Sequence, residues 1–455
     1  MHGIILFYTF VYSKNRKIME YFPRIAEERE ISRLLWLSRQ QNGRIALVYG
    51  RPGSGRTSVI RKVLEGARSV TFHVGGKTAG LQMQDFIREA RSILGPEGDW
   101  NAATPSALLE RIALKSKDDT VTVIFENYES LGQYWKDEYS AIDALWKQMS
   151  RKTRMFLILC GSSVPELERI FSTPSSPMYN VLDSMVLIPP FKAQDFKQLL
   201  NRSGKEADPS AVLLAWAMTG GLASLVSPLV DSGAEDVPSM LETYFSPDSP
   251  FICGPESFLT GLFGRDRDVY MSVLQAIACG CSSQKEIESF LGMNVGGHLF
   301  KLETVYDLVV KERPAFARPD SRGAVRFSIK DIDLEFWFRF VHSNMSLVSG
   351  GDFRRLRERV AEGLEDWLDY VQVRYFRRKL TEEADWQHVV GWWNPKASMD
   401  IVAWSDSKKR IFVAKSYRDP SGFDPDRFRA EVNSFKIITG KAGGLQASYL
   451  TRKDV

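Results

Sequence analysis

The stretch "GRPGSGRTSV", residues 50–59, constrains this chain more than any other. Before it runs the apolar segment Ile45-Ala46-Leu47-Val48-Tyr49; after it Val59, Ile60, Val63 and Leu64 recur at helical spacing. A strand, a glycine turn and a helix in that order make a phosphate cradle: the glycines let backbone N–H groups turn inward, and the helix start adds partial positive charge. The pattern G-x-x-x-x-G-K-[ST] is met by Gly50, Gly55 and Thr57, with Arg56 in the lysine position. The candidate nucleotide site is therefore Gly50, Arg51, Pro52, Gly53, Ser54, Gly55, Arg56, Thr57 and Ser58, with the Thr57 hydroxyl as a Mg²⁺ ligand. The alternative is a plain βα turn.

The same sheet is expected to continue downstream. "SVTFHV" (69–74), "VTVIFE" (121–126), "RMFLILCG" (154–161) and "SMVLIPP" (184–190) are short apolar runs separated by helical stretches. Near-continuous apolar runs suit parallel strands covered on both faces. Glu126-Asn127 closes one run, where an acidic pair would face Mg²⁺ and water; Gly161-Ser162-Ser163 closes the next, where Ser162 is placed to sense a terminal phosphate.

Composition limits the setting. The chain has 455 residues, 44% hydrophobic and 25% charged, enough for two to four globular domains. Sixty basic against 56 acidic residues give a net charge of +4, which neither demands nor excludes nucleic acid. Cys160, Cys253, Cys279 and Cys281 supply neither a disulfide framework nor a metal quartet; Cys279-Gly-Cys281 reads as two buried small hydrophobes, and the compartment as the reducing cytoplasm. "MHGIILFYTFVY" is too short to span a bilayer, and its basic residues follow the apolar run instead of preceding it. Residues 1–19 are expected to be a misassigned start or a disordered extension, with Met19 the initiator; no membrane partner is expected.

The order "LVYGRPGSGRTSVI", "VTVIFENYESL", "FLILCGSSVPEL", "MTGGLASLV" resembles the archaeal-type AAA+ ATPases of the signal-transducing STAND kind. The likeness continues through "AIACGCSSQKEIESFLGMNVGGHLFKLETVYDLVVKERP" and "RFSIKDIDLEFWFRFV", similar to that family's winged helix. It ends in "VVGWWNPKASMDIVAWSDSKKRIFVA", similar to its C-terminal restriction-nuclease-like domain. The resemblance implies an α/β class: a P-loop parallel sheet with a helical lid, a winged-helix domain and a C-terminal α+β nuclease-like domain. The boundaries expected are 20–190 for the ATPase core, 191–255 for the lid, 256–345 for the winged helix and 346–455 for the C-terminal domain.

The chain departs from that family at several sites. Arg56 keeps the positive charge but as a planar fork, which does not fit the gap a compact ammonium fills. Glu126 can face Mg²⁺ through water, but Asn127 has no proton affinity near neutral pH and cannot act as the base; Glu129 lies beyond the strand end. Gly220-Gly221-Leu222-Ala223-Ser224 lacks the proline and aromatic of the lid's closing motif. In the C-terminal domain Asp400 matches the first metal ligand, but Ala414, Lys415, Ser416 and Tyr417 replace the Glu-Cys-Lys segment, and Phe376 stands where relatives often carry a glutamate. One carboxylate cannot assemble the metal site, so no nuclease activity is expected.

The winged-helix candidate "NVGGHLFKLETVYDLV" offers His298 and Lys301 against Glu303 and Asp307; its wing offers Lys311, Arg313, Arg318, Arg322 and Arg326. DNA contact and interdomain packing are the two readings. "EFWFRF" (335–340) and "WLDYV" (367–371) read as buried helix, and 354–367 as a solvated charged face. Two functions remain in view. One is an ATP-binding switch with weak or no hydrolysis that uses ATP and Mg²⁺ and an unidentified protein partner. The other is a nucleotide-independent DNA-associated or protein-interaction scaffold.

Overall fold

The computed structural model describes residues 23–201, 207–247, 249–317 and 325–455; the expected extension 1–19 and the wing residues Arg318 and Arg322 lie outside them. The chain divides into two compact units, ending and beginning at Pro189 and Pro190.

The first unit is built on five strands: β1 (Arg44–Tyr49), β2 (Ser69–His73), β3 (Thr122–Glu126), β4 (Phe156–Gly161) and β5 (Ser184–Leu187). They lie in the order β2-β3-β4-β1-β5, and every pairing is parallel. Alternation along each strand feeds two cores. From β1, Ile45 and Leu47 join Val123, Phe125, Leu157 and Leu159 on one face; Ala46 and Val48 join Ile124, Phe156 and Ile158 on the other. The second face is covered by the helices Ile25–Gln40 and Arg56–Val63 through Ile31, Leu34, Val59 and Ile60. Burial on both faces explains why β1, β3 and β4 lack polar alternation, whereas the edge strands β2 and β5 alternate. The rings of Phe72, Phe86 and Phe125 lock the first face, with centroids 4.8 Å and 5.2 Å apart from Phe72. Truncating such a ring costs about 3–5 kcal/mol. Because β4 lies between β3 and β1, the loops leaving the C-terminal ends of these three strands share one edge, where ligands of open α/β sheets sit.

In the second unit three helices, Arg267–Ala278, Gln284–Leu291 and Gly296–Thr304, lead into an antiparallel hairpin of β6 (Val309–Glu312) and β7 (Arg326–Ile329). Ser283 and Glu286 form a reciprocal capping box that fixes where the second helix begins. The third helix stops at Thr304, short of the Val309 expected from sequence. Asp307 turns the chain with a φ of 54°, and Val309 already belongs to β6.

Glu335 to Phe340 are buried, except half-buried Arg339, and Trp337 Nε1 donates to the Ile252 carbonyl at 2.7 Å. The 30-residue helix Phe353–Glu382 follows; it buries Trp367, Leu368 and Val371 and leaves its first turns charged and solvated. Then come β8 (His388–Trp393), β9 (Ser398–Ser405), β10 (Arg410–Ser416), the helix Pro425–Thr439 and β11 (Leu445–Leu450). The sheet order is β11-β10-β9-β8, with only β10–β11 parallel. A separate C-terminal sheet is thus present in the second unit, in addition to the parallel sheet of the first.

One sequence expectation fails here. Cys279 is exposed and Cys281 half-exposed, because the helix ends at Ala278 and Gly280, with a φ of 108°, turns the chain outward. Cys160 alone of the three described cysteines is buried.

Candidate functional site

The loop after β1 passes close under β5's exit. A Cβ on Gly50 would come within 2.4 Å of the Ile188 carbonyl oxygen, so only glycine fits. The helix Arg56–Val63 begins at Gly55 without a side-chain cap, and its first hydrogen bond runs from Val59 N to Gly55 O at 3.1 Å. The N–H groups of Arg56, Thr57 and Ser58 therefore have no partner within the helix and point out of its start. Thr57 and Ser58 are exposed there. Ser54 Oγ and Arg56 Nη1 are buried with no hydrogen-bond partner, although buried polar groups are ordinarily paired. Donors without acceptors at a helix start suit an anion with several oxygens.

Across β4 the neighbouring strand ends behave differently from one another. Glu126, at the end of β3, is half-buried. Asn127 adopts a φ of 58°, and its amide turns toward β2, where Nδ2 lies 3.3 Å from His73 Nε2. Asn127 is thus aimed away from the glycine loop as well as being chemically unable to accept a proton.

Glu129 is not out of reach, although its place beyond the strand end implies that it should be. The 3₁₀ turn Tyr128–Ser130 swings it onto the end of β4. There its Oε1 accepts from Ser162 N at 2.8 Å, Ser163 N at 3.0 Å and Ser162 Oγ at 3.3 Å. The approach is tight: a Cβ on Gly161 would lie 2.2 Å from Glu129 Oε2. The anchor of this turn is Tyr128, fully buried and stacked against Phe171. Burial pushes the Cys160 thiol well above its ordinary range; Glu126 and Glu129 push it the same way and Arg56 opposes them.

The closing motif lies in the second unit. Gly220 and Gly221 leave the helix Pro209–Thr219 with φ of 56° and 76°, and Phe191 N donates to Gly221 O at 2.7 Å.

In the C-terminal sheet Asp400 does not stand alone. Its Oδ2 accepts from Ser416 N at 2.9 Å, and Glu431, from the helix Pro425–Thr439, comes close enough to raise its proton affinity. Burial is the larger cause of that rise; the Ser416 N–H and the Lys415 ammonium oppose it. The second carboxylate is already neutralised, since Lys415 Nζ lies 2.8 Å from Glu431 and Arg427 Nε 3.5 Å. Among the described residues no group of three or more His, Cys, Asp or Glu is arranged to hold a metal ion. Phe376 is buried in the core, 3% exposed.

Of the expected wing, Lys311, Arg313 and Arg326 are exposed, while its described apolar residues pack inward. Ala315 N donates to Gly391 O at 2.8 Å, the Phe316 ring sits 4.6 Å from Trp404, and Arg326 lies over the Trp393 ring at 4.2 Å. Glu312 receives Arg377 Nη1 on both oxygens at 3.1 Å. His298 packs on the Tyr270 ring at 5.3 Å. No helix among the described residues is long and apolar enough to cross a membrane.

Residues 337–419 match a family described as DUF234, archaeal and bacterial proteins of unknown function. An uncharacterized protein of Methanocaldococcus jannaschii is 23% identical over 409 residues, covering 87% of this chain and 88% of that protein. Among solved structures, the Walker-type ATPase of Pyrococcus abyssi is 16% identical, covering 70% of this chain and 96% of its own, with a TM-score of 0.50. The ORC2 protein of Aeropyrum pernix is 13% identical, covering 73% and 98%, with a TM-score of 0.44. The chain accordingly shares its fold with a Walker-type ATPase, and residues 337–419 match the DUF234 family.

Proposed function

We propose that the chain binds ATP with Mg²⁺ at Gly50–Ser58, turns it over weakly or not at all, and works as a nucleotide-dependent switch on its winged-helix and C-terminal domains. One observation carries the binding: Ser54 Oγ and Arg56 Nη1 are buried donors without partners beside an uncapped helix start. These residues fit a polyphosphate, which would give them acceptors. Mg²⁺ would supply charge neutralisation between phosphates, with Thr57 as its ligand and Glu126 holding it through water. Arg56 would lie along the phosphates, Ser162 would meet the outermost one, and Asn127 would leave the attacking water without a base. In this reading 20–190 is the ATPase core, 191–255 the lid, 256–345 the winged helix and 346–455 an inactive nuclease-like domain used for docking.

Saturating Mg-ATP should stabilise the protein by at least about 1 kcal/mol in a thermal-shift or calorimetric titration. A Thr57→Ala variant should bind Mg-ATP more weakly. No response at millimolar ATP, or equal binding by that variant, would sink the proposal.

A nucleotide-independent scaffold is the second reading, favoured by Arg56 and Asn127. Its DNA-bound form through residues 309–329 is weakened by Ala315 and Phe316, which pack on Gly391 and Trp404. Absence of DNA cleavage is a further expectation. Full-length protein incubated with plasmid and single-stranded DNA in Mg²⁺ or Mn²⁺ should leave both intact, since the Lys415–Glu431 pair occupies the second carboxylate. Cleavage abolished by Asp400→Ala would restore an active nuclease.

A further inference from the structure

A cavity of about 710 Å³ opens within the second unit, between the β6–β7 hairpin, the helix Phe353–Glu382 and the edge of the C-terminal sheet. One face of that helix supplies a wall at helical spacing: Tyr370, Arg374, Arg377, Arg378 and Thr381. Five arginines line the cavity against four carboxylates, so the side-chain bonds decide its net character.

Arg374 pairs with Glu335 and Arg377 with Glu312, and Asp366 is held by Arg418 at 3.2 Å. Asp400 gives one oxygen to Ser416 N. Three guanidiniums keep donors in reserve. Arg326 hydrogen-bonds to no described residue; it only stacks on Trp393. Arg339 uses Nη1 on the Ala278 carbonyl, and Arg378 uses Nε on Glu382. The balance favours an anion.

The rest of the lining limits which anion. Val310, Val373 and Val389 give apolar surface, and Trp393 and Tyr370 give flat rings. The volume falls in the range of small-molecule sites, far beyond a lone phosphate. Planar forks beside flat rings match a phosphate joined to a planar ring system.

We propose that this cavity is a second ligand site, distinct from the glycine loop, that takes a nucleoside phosphate, either free or as the terminal residue of a single strand. Arg326, Arg339 and Arg378 hold the phosphate, and Tyr370 and Trp393 supply the surface for the base. This proposal does not depend on ATP binding at Gly50–Ser58.

The test uses the full chain without ATP, with Thr57→Ala in parallel so that binding unchanged in that variant is assigned to the second site. Thymidine monophosphate, neutral thymidine and a labelled thymidylate strand of about ten nucleotides are titrated separately. The monophosphate or the strand should bind and thymidine should not; preference between the first two tells a free nucleotide from a strand end. Arg326→Ala combined with Arg378→Ala should weaken binding at least about ten-fold; because Arg378 also pairs with the half-buried Glu382, the fold of the double variant is checked by circular dichroism. Arg326→Ala alone serves as a second check with the least risk to folding. No binding of either phosphate at millimolar concentration overturns the proposal, as does binding that survives the double substitution or is equalled by thymidine.

Discussion

An Arg56→Lys, Asn127→Asp double variant should release phosphate from Mg-ATP at least about ten times faster than the parent chain. Glutamate would also supply a base at position 127, but the backbone argues for aspartate. Residue 127 sits at a φ of 58°, a region that asparagine and aspartate tolerate and that costs most other residues about 1–2 kcal/mol. Lysine at 56 restores a compact charge between the phosphates, and a carboxylate at 127 restores proton affinity beside the attacking water. A positioned base alone contributes about 10²–10⁴-fold, so ten-fold is a modest demand on an imperfectly aimed one. His73 Nε2, within 3.3 Å of the present amide, would hold part of the new carboxylate and limit the gain. A steady-state phosphate-release assay decides it. Parent turnover of about 1 s⁻¹ or more would mean that a base is already present. Glu129→Gln would then show whether it is Glu129, whose Oε2 has no partner.

The parts of this site that follow one another in the chain are legible in the sequence. A strand, a glycine loop and a helix start are local, and the inner strands β1, β3 and β4 betray themselves because burial on both faces keeps them apolar. The parts brought together by turns and packing are not. Glu129 lies two residues beyond Asn127 but reaches β4 because Tyr128 is buried between them and reverses the chain. Glu431 reaches Lys415 from a helix that begins nine residues after β10, a distance that no motif spacing encodes.

The β6–β7 hairpin and its described flanks teach the same lesson in reverse. Their basic residues suggest a nucleic-acid surface, yet Ala315 is only 3% exposed and packs with Trp392 and Met399. Charge counts describe what a segment carries. Its apolar residues decide where it lies.

Replacing Arg374 with methionine should destabilise the second unit by about 3–5 kcal/mol at neutral pH, and the deficit should shrink as the pH falls. Glu335 is 4% exposed, and its Oε2 takes Arg374 Nη1 and the Tyr370 hydroxyl, the latter at 3.3 Å. Arg374 also donates to the carbonyls of Ile329 at 2.8 Å and Lys330 at 2.7 Å, tying the long helix to the end of β7. Methionine fills similar space but leaves a buried carboxylate without its counter-charge, the costly half of a broken pair.

The pH dependence follows from the direction of the Glu335 shift. Burial raises its folded-state affinity for a proton, and Arg374, the first of the groups opposing burial, restrains the rise. A raised carboxyl contributes stability that is full below its unfolded range and is lost as pH climbs through the folded value. Without Arg374 that folded value moves higher still, so the variant keeps losing stability over pH where the parent has finished doing so. Urea midpoints measured from mildly acidic to mildly alkaline pH should therefore diverge, with the variant falling away as pH rises. Adding Glu335→Gln should recover much of the loss and flatten the divergence, because the orphaned group then carries no charge. A deficit below about 1 kcal/mol, or one that stays constant with pH, would mean the pair is screened by water despite its burial.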